Sequence, residues 1–353
     1  MPEKIGIDVT NIVNMDSLSG EEIVTLSIVD GICSSGRADR FILFALASVR
    51  QQILARYRGV EIVGVKSGGS KFYKRILPRA IRRKKITVIH YPHCHKHIQM
   101  KLRARIIVTV HGLLSKDLSK REIKRTAKKI RQADTIVAVS GFVRDELQER
   151  MKLDRESILV IGNCLYDVRP GIDIVYKRKY LLAVNSDSPQ KNLIALVKAF
   201  HAIRDRMEHD LVIIGRVDEQ SKAYRYMKRH RLTRRIIITG HMNRDTLFGY
   251  YKNADLFICT SKYEGFGLTP LEAMASGTRV LTTLTPSLTG NLNVHPDGII
   301  TDPDDVRKIA AVIMEIIRKP ADKDALQLRA LRVKEQFHPM GMIREYFKAY
   351  GLD

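Results

Sequence analysis

"YEGFGLTPLEAMASG", residues 263–277, sets Glu264 and Glu272 on either side of a glycine-bearing turn, directly after the apolar run "DLFICT" and ahead of a helix-like stretch. Gly265 and Gly267 lack Cβ atoms, so the backbone there can turn sharply and come close to a ligand. Thr269-Pro270 reads as a helix start, because a proline in the first turn gives up an N–H that had no partner. The open N–H groups of that turn suit an anion such as a pyrophosphate. Glu272, read in the same first turn, can accept from two hydroxyls, and Glu264 can reach a second polyol. The stretch therefore has the outline of a site for a phosphorylated sugar donor. On spacing alone a plainer reading stands beside it, in which the two glutamates are solvated or cap a helix.

Working outward, the run before the turn is one of several of its kind. "KYLLAVN", "DLVIIG", "RIIITG", "DLFICT" and "TRVLTT" read as strands, with "NLIALVKAFHAIRDRM", "LTPLEAMASG" and "VRKIAAVIMEIIRK" as helices around them. The first half repeats the plan. "KIGIDVT", "RFILFAL", "VEIVGV", "ITVIHY", "RIIVTVH", "TIVAVS" and "SILVIGN" alternate with helical stretches such as "GEEIVTLSIVDGICSSG" and "SKREIKRTAKKIRQA". Continuous Val/Ile/Leu runs between helices predict buried parallel strands in a doubly wound α/β arrangement. Two Rossmann-like domains are expected, residues 1–165 and 177–335. Residues 166–176, around Pro170-Gly171, form the linker, and a C-terminal helix at 336–353 returns toward the first domain. Ligands of open α/β sheets bind beyond the carboxyl ends of the strands, where the opening stretch falls.

The opening stretch also resembles the E-x(7)-E motif of the retaining glycosyltransferases of family 4, the group 1 transferases. "EGFGLTPLEAMASGTRVL" matches it at nearly every position. "ADTIVAVSGFVRDEL" (133–147), "SPQKNLIALVKAF" (188–200) and "DPDDVRKIAAVI" (302–313) resemble further segments of the family in the right order. The resemblance implies a GT-B fold, two Rossmann-like domains facing across a cleft. It also implies a nucleoside-diphosphate-sugar donor, retention of anomeric configuration and no obligatory metal. Glu272 would then bind the nucleotide ribose and Glu264 the donor sugar. The stretch Gly265, Phe266, Gly267, Leu268 and Thr269 would hold sugar hydroxyls and phosphate. Lys191 would neutralise the pyrophosphate, and Gly240 with His241 would meet the base. "TVHGL" resembles the family's T-x-H-D segment, so His111 would lie near the transferred sugar, with Gly112 where an aspartate is usual. Gly20 stands where relatives often carry a glycine pair. Six residues before Lys191, where many members have an arginine, this chain has Asn185, and Arg216 is the candidate substitute cation.

Over 353 residues the chain is 44% hydrophobic and carries a formal net charge of +23, with no acidic residue from Ile62 to Lys116. Such a surface attracts phosphate in some form. No zinc-finger spacing, RNA-recognition aromatic motif or basic zipper is present, so nucleic acid is not expected as a partner. "KFYKRILPRAIRRKK" (71–85) interleaves apolar and basic residues in the pattern of an interfacial membrane helix. The alternative is a helix whose apolar face packs on its own sheet, and Pro78 should break or restart it. "HYPHCHKH" (90–97) gathers His90, His93, Cys94, His95 and His97, and reads as a loop lining an acceptor site more readily than as a metal centre. No metal and no cofactor beyond the donor is expected. Four scattered cysteines fit a reducing cytosol. With no signal peptide and no membrane-length apolar run, the expected location is cytoplasmic, peripheral to an anionic membrane surface, with a glycan or lipid-linked acceptor. The competing function is a binding or scaffold subunit of a glycan-assembly complex that keeps the fold without turnover.

Overall fold

The computed structural model describes residues 3–15, 18–94, 102–112, 120–174, 176–185, 188–284 and 295–352. The chain divides into two compact units, Met1–Tyr166 with Phe337–Asp353, and Asp167–Gln336.

Unit 1 holds seven strands: β1 (Lys4–Asp8), β2 (Phe41–Leu46), β3 (Glu61–Val65), β4 (Ile86–Tyr91), β5 (Arg105–Val110), β6 (Thr135–Ala138) and β7 (Ile158–Val160). They form one sheet in the order β3-β2-β1-β4-β5-β6-β7, every pairing parallel. The helices are α1 (Gly20–Ser34), α2 (Arg50–Arg56), α3 (Leu77–Lys84), α4 (Lys120–Ile130) and α5 (Gly141–Met151). Unit 2 repeats the winding with β8 (Tyr180–Val184), β9 (Asp210–Ile214), β10 (Ile236–Gly240), β11 (Leu256–Cys259), β12 (Val280–Thr283) and β13 (Gly298–Ile300), ordered β10-β9-β8-β11-β12-β13. Its helices are α6 (Leu193–Ile203), α7 (Lys222–Arg229), α8 (Arg244–Asn253), α9 (Leu268–Ala275), α10 (Val306–Arg318) and α11 (Lys323–Gln336). Beyond it, α12 (Pro339–Tyr350) belongs to unit 1, where Ile343, Tyr346 and Tyr350 are fully buried.

The four central strands of unit 2, β9, β8, β11 and β12, are buried along nearly their whole length, as apolar runs covered by helices on both faces must be, while the edge strands β10 and β13 are only partly buried. One core cluster joins Leu181, Ile213 and Ile258 of the sheet to Leu196 and Phe200 of α6 and Ile309 and Ile313 of α10. In each unit the winding reverses direction between the first and fourth strands. Those switch points, β1/β4 and β8/β11, are where the loops beyond neighbouring carboxyl ends part and leave room for a ligand.

The structure bears on two further segments, taking the packed alternative for the first and correcting the loop reading at His90 of the second. In 71–85, a π-helical turn (Phe72–Ile76) leads into α3, which restarts at Leu77 with Pro78 in its first turn. Phe72, Tyr73, Leu77 and Ile81 are buried in the unit's own core, and of the apolar set only Ile76 is exposed. Its apolar face is therefore spent on packing, and what solvent meets is the basic remainder. In the histidine-rich stretch, His90 is part of β4 and wholly buried, not on a loop. Its Nδ1 lies 2.8 Å from the Tyr350 hydroxyl and its Nε2 2.9 Å from Thr109 Oγ1. His95 and His97 lie outside the described residues.

Candidate functional site

The β8/β11 switch point brings together two of the predicted site residues of unit 2. Lys191 ends a short 3-10 turn (Pro189–Lys191) after β8, and Glu264 stands in the loop after β11. Lys191 Nζ donates to Glu264 Oε1 at 2.7 Å, with the side chains 30% and 12% exposed. The turn is clamped onto the loop. Thr260 Oγ1 donates to the Lys191 and Asn192 carbonyls at 3.3 Å, and the Lys262 amide donates to the Gln190 carbonyl at 2.7 Å. Asn192 leaves the turn in the left-handed region (φ 50°) and fixes its side chain on the Pro303 carbonyl. Burial disfavours the charge on Lys191, but Glu264 and then Cys259 outweigh it and raise the ammonium's pKa above its ordinary value. Burial, then Glu264, also raises the Cys259 thiol.

The glycine turn follows. Gly267 caps α9 in the left-handed region at φ 93°, which a residue with a Cβ adopts only with strain. No side chain caps the helix, so the first-turn amides of Leu268 and Thr269 stay open to an anion. Pro270 is the third helical residue, and Glu272 lies one turn further in than expected, in the second turn of α9. Glu272 is 3% exposed. Arg244 Nη2 donates to its Oε1 at 3.0 Å and the Tyr251 hydroxyl to its Oε2 at 3.2 Å. Tyr251 is fully buried, and burial, then Glu272, raises its hydroxyl well above the usual range, which keeps it a donor.

The other predicted residues fall as follows. Asn185 is buried at the end of β8, and its Nδ2 donates to the Lys191 carbonyl at 3.3 Å. The position where the family resemblance led to the expectation of an arginine thus braces the Lys191 turn and adds no charge. Gly215 lets the ends of β8 and β9 close, since a Cβ there would lie 1.9 Å from the Asn185 carbonyl oxygen. Arg216, the next residue, is exposed and has no hydrogen bond or ion pair to a described residue. Gly240 ends β10 and His241 is exposed just after it. Two candidates belong to unit 1. Gly20 is the exposed first residue of α1, behind a Ser19–Glu22 capping box. His111 follows β5, with its Nε2 2.7 Å from the Pro92 carbonyl. A carbonyl only accepts, so Nε2 bears the proton and Nδ1 of the neutral ring carries the lone pair.

Arg244, Tyr251 and Thr260 escaped the sequence reading. One signal for Arg244 was available. It is the first residue of α8, where a cation opposes the helix dipole and calls for a compensating anion. Among the described residues no group of three or more His, Cys, Asp or Glu converges on a metal position, and no helix is long and apolar enough to cross a membrane.

The family model for glycosyl transferases group 1 matches residues 168–331, and that for glycosyltransferase family 4 matches residues 40–167. Set end to end on the two units just described, they identify the class: the chain belongs to the group 1 glycosyltransferases, enzymes that use nucleotide-sugar donors. It is similar to O-antigen chain mannosyltransferase B of Escherichia coli, 25% identical over 309 residues that cover 79% of each chain. In three dimensions it resembles the sucrose-phosphate synthase of Thermosynechococcus elongatus, with TM-score 0.78 and 16% identity over 99% of this chain and 98% of that one. It also resembles Anabaena HepE, solved in complex with UDP and glucose, with TM-score 0.73 and 16% identity over 99% of both chains. At such identities the structural likeness establishes the fold, two Rossmann-like domains of the GT-B class.

Proposed function

We propose that the protein transfers a hexosyl group from a nucleoside-diphosphate sugar to a hydroxyl of a glycan or lipid-linked acceptor, with retention at the anomeric carbon and no obligatory metal. The observation that carries this reading is the Lys191–Glu264 pair at the strand switch point, in the loop that leads to the uncapped start of α9. Lys191 and the amides of Leu268 and Thr269 supply positive potential to the diphosphate. Its charge grows as the glycosidic bond breaks, so this stabilisation is greatest in the transition state. Glu264 accepts from the sugar hydroxyls and Glu272 from the ribose, while Gly240 and His241 meet the base. In the proposed step the bond from C1 to the diphosphate oxygen breaks, and its electron pair leaves with the diphosphate. The acceptor oxygen bonds C1 on the same face, and its proton passes to the departing diphosphate.

The same reading puts the protein in the cytoplasm, at an anionic membrane surface that it meets through the exposed basic side chains of 71–85. That contact should release with salt and weaken when Arg82, Arg83 and Lys85 become Gln. Equal binding to neutral vesicles would remove it. A non-catalytic binding subunit is the second reading. It draws on Asn185, whose amide is spent on the Lys191 carbonyl and brings no cation to the phosphate.

The deciding experiment is a panel of UDP- and GDP-linked glucose and mannose in EDTA, headed by these sugars because of the mannosyltransferase relative and the HepE complex. A donor present at about 100 times its dissociation constant should stabilise the fold by about 2.7 kcal/mol. Product from a glycan acceptor should keep the donor's anomeric configuration by NMR. No stabilisation by any donor defeats the site, an inverted product defeats the mechanism, and binding without product in any acceptor screen favours the subunit reading.

A further inference from the structure

We propose that Arg244 is the positioning residue of the ribose subsite, holding the Glu272 carboxylate aimed so that the protein selects a ribonucleotide over its 2′-deoxy counterpart. The inference rests on the reading of Glu272 as the ribose acceptor and adds to it a residue that no motif supplies.

Glu272 is 3% exposed, and a carboxylate that deep is tolerated only when paired and hydrogen-bonded. Arg244 Nη2 at 3.0 Å from Oε1 supplies the counter-charge, and its own side chain is only 13% exposed. The guanidinium lies over the Phe248 ring at 5.0 Å, which fixes its plane from the other side. The Tyr251 hydroxyl takes one lone pair of Oε2. An ionised carboxylate has about four lone-pair sites, so two stay available, one on each oxygen. That is the number a ribose 2′,3′-diol needs. Arg244 also stands at the first position of α8, where the helix dipole disfavours a cation, so its attraction to Glu272 must offset that cost. Without Arg244 the buried carboxylate loses its counter-charge and one of its two anchors and is free to turn out toward water, so a diol loses its paired acceptor.

The test measures dissociation constants of GDP and UDP and of their 2′-deoxy forms by calorimetry, for the full-length wild type, Arg244→Ala, Arg244→Lys and Tyr251→Phe. A hydrogen bond to a charged group is lost on deoxygenation, so the wild type should prefer the ribonucleotide by about tenfold or more. In Arg244→Ala the preference should shrink to about twofold, with weaker binding of both forms. Arg244→Lys should restore part of it. Tyr251→Phe leaves the counter-charge in place and should keep the preference. A wild type that binds both forms equally defeats the reading of Glu272 itself. A wild type that discriminates beside a folded Arg244→Ala that still does so tenfold defeats the role of Arg244 alone. Should the alanine variant fail to fold, the lysine variant decides: a full preference there, with a cation too short to aim the carboxylate, overturns the positioning role.

Discussion

In both units the fourth strand lies beside the first, and the loops part beyond their ends, yet the two places are filled differently. At β8/β11 of unit 2, Lys191 and Glu264 set opposite charges against each other while Lys191 keeps 30% of its side chain in solvent. At β1/β4 of unit 1, the Asp8 carboxylate accepts from the Thr10 amide at 3.0 Å and the Tyr73 hydroxyl at 2.6 Å, all buried. On β4 itself, His90 is sealed between Thr109 and Tyr350, and Thr109 in turn meets the Tyr346 hydroxyl at 3.0 Å. Unit 2 spends its polar groups on a reactive-looking surface. Unit 1 spends them on packing, Asp8 on holding Tyr73 and the His90–Thr109 pair on locking α12 to its sheet. Identical winding does not decide chemistry; the side chains on the connecting loops do.

The sharpest way to break this contrast is Lys191→Ala. It should lower kcat by about 100-fold or more, or roughly 2.7–4 kcal/mol, as loss of one preorganised donor to a developing anion does. Donor affinity should change less, and a variant whose KM alone rises would sink the assignment. Glu272→Ala should come next, weakening nucleotide binding by roughly 1.5–3 kcal/mol in calorimetry. Unchanged affinity in a folded variant would take Glu272 out of the subsite.

Unit 1 answers to acid instead. Burial, with His93 and His111 adding to it, lowers His90 to about 3, whereas an unfolded histidine titrates near 6.5. Only the unfolded chain takes up the proton between those values, so the stability is whole above about pH 6.5 and drains away as pH falls toward 3. By pH 5 about 2 kcal/mol should be gone. Thermal unfolding between pH 7 and pH 5 should therefore show a shallower slope in His90→Gln than in the wild type. Parallel slopes would mean that the buried ring is not the sensor. The smallest effect belongs to Arg216→Ala. An exposed cation is worth at most about 1 kcal/mol, so turnover should fall a fewfold if Arg216 serves the phosphate, and an inert substitution would rule it out.

Much of this was legible in the chain. Strands buried on both faces leave unbroken Val/Ile/Leu runs, and the quoted runs carry twelve of the thirteen strands among the described residues. β13 escaped because three residues of "DGIITD" leave no run to read. Lys191 and Glu264 were each marked by segments that read as a loop after a strand, but that they meet was not read from the sequence. The Arg244–Glu272 pair was not legible either, because its partners lie 28 residues apart on different helices and neither segment names the other. The segment 71–85 left two readings open for a related reason. An amphipathic pattern specifies a face to be covered and is silent on whether a bilayer or the chain's own sheet covers it.

The Lys191–Glu264 pair has a consequence for what the idle protein ignores. A bare lysine would collect any stray phosphate; this one already has its counterion 2.7 Å away. An incoming anion meets a neutral couple and must evict a carboxylate that has little water to retreat into. Inorganic phosphate can answer the lysine but leaves the carboxylate stranded, and a neutral sugar has the reverse fault. A ligand with hydroxyls for one half and negative charge for the other dissolves the pair without loss. If Lys191 and Glu264 hold the donor as proposed, the couple would act as a coincidence gate, favouring the sugar and the phosphate when they arrive as one molecule.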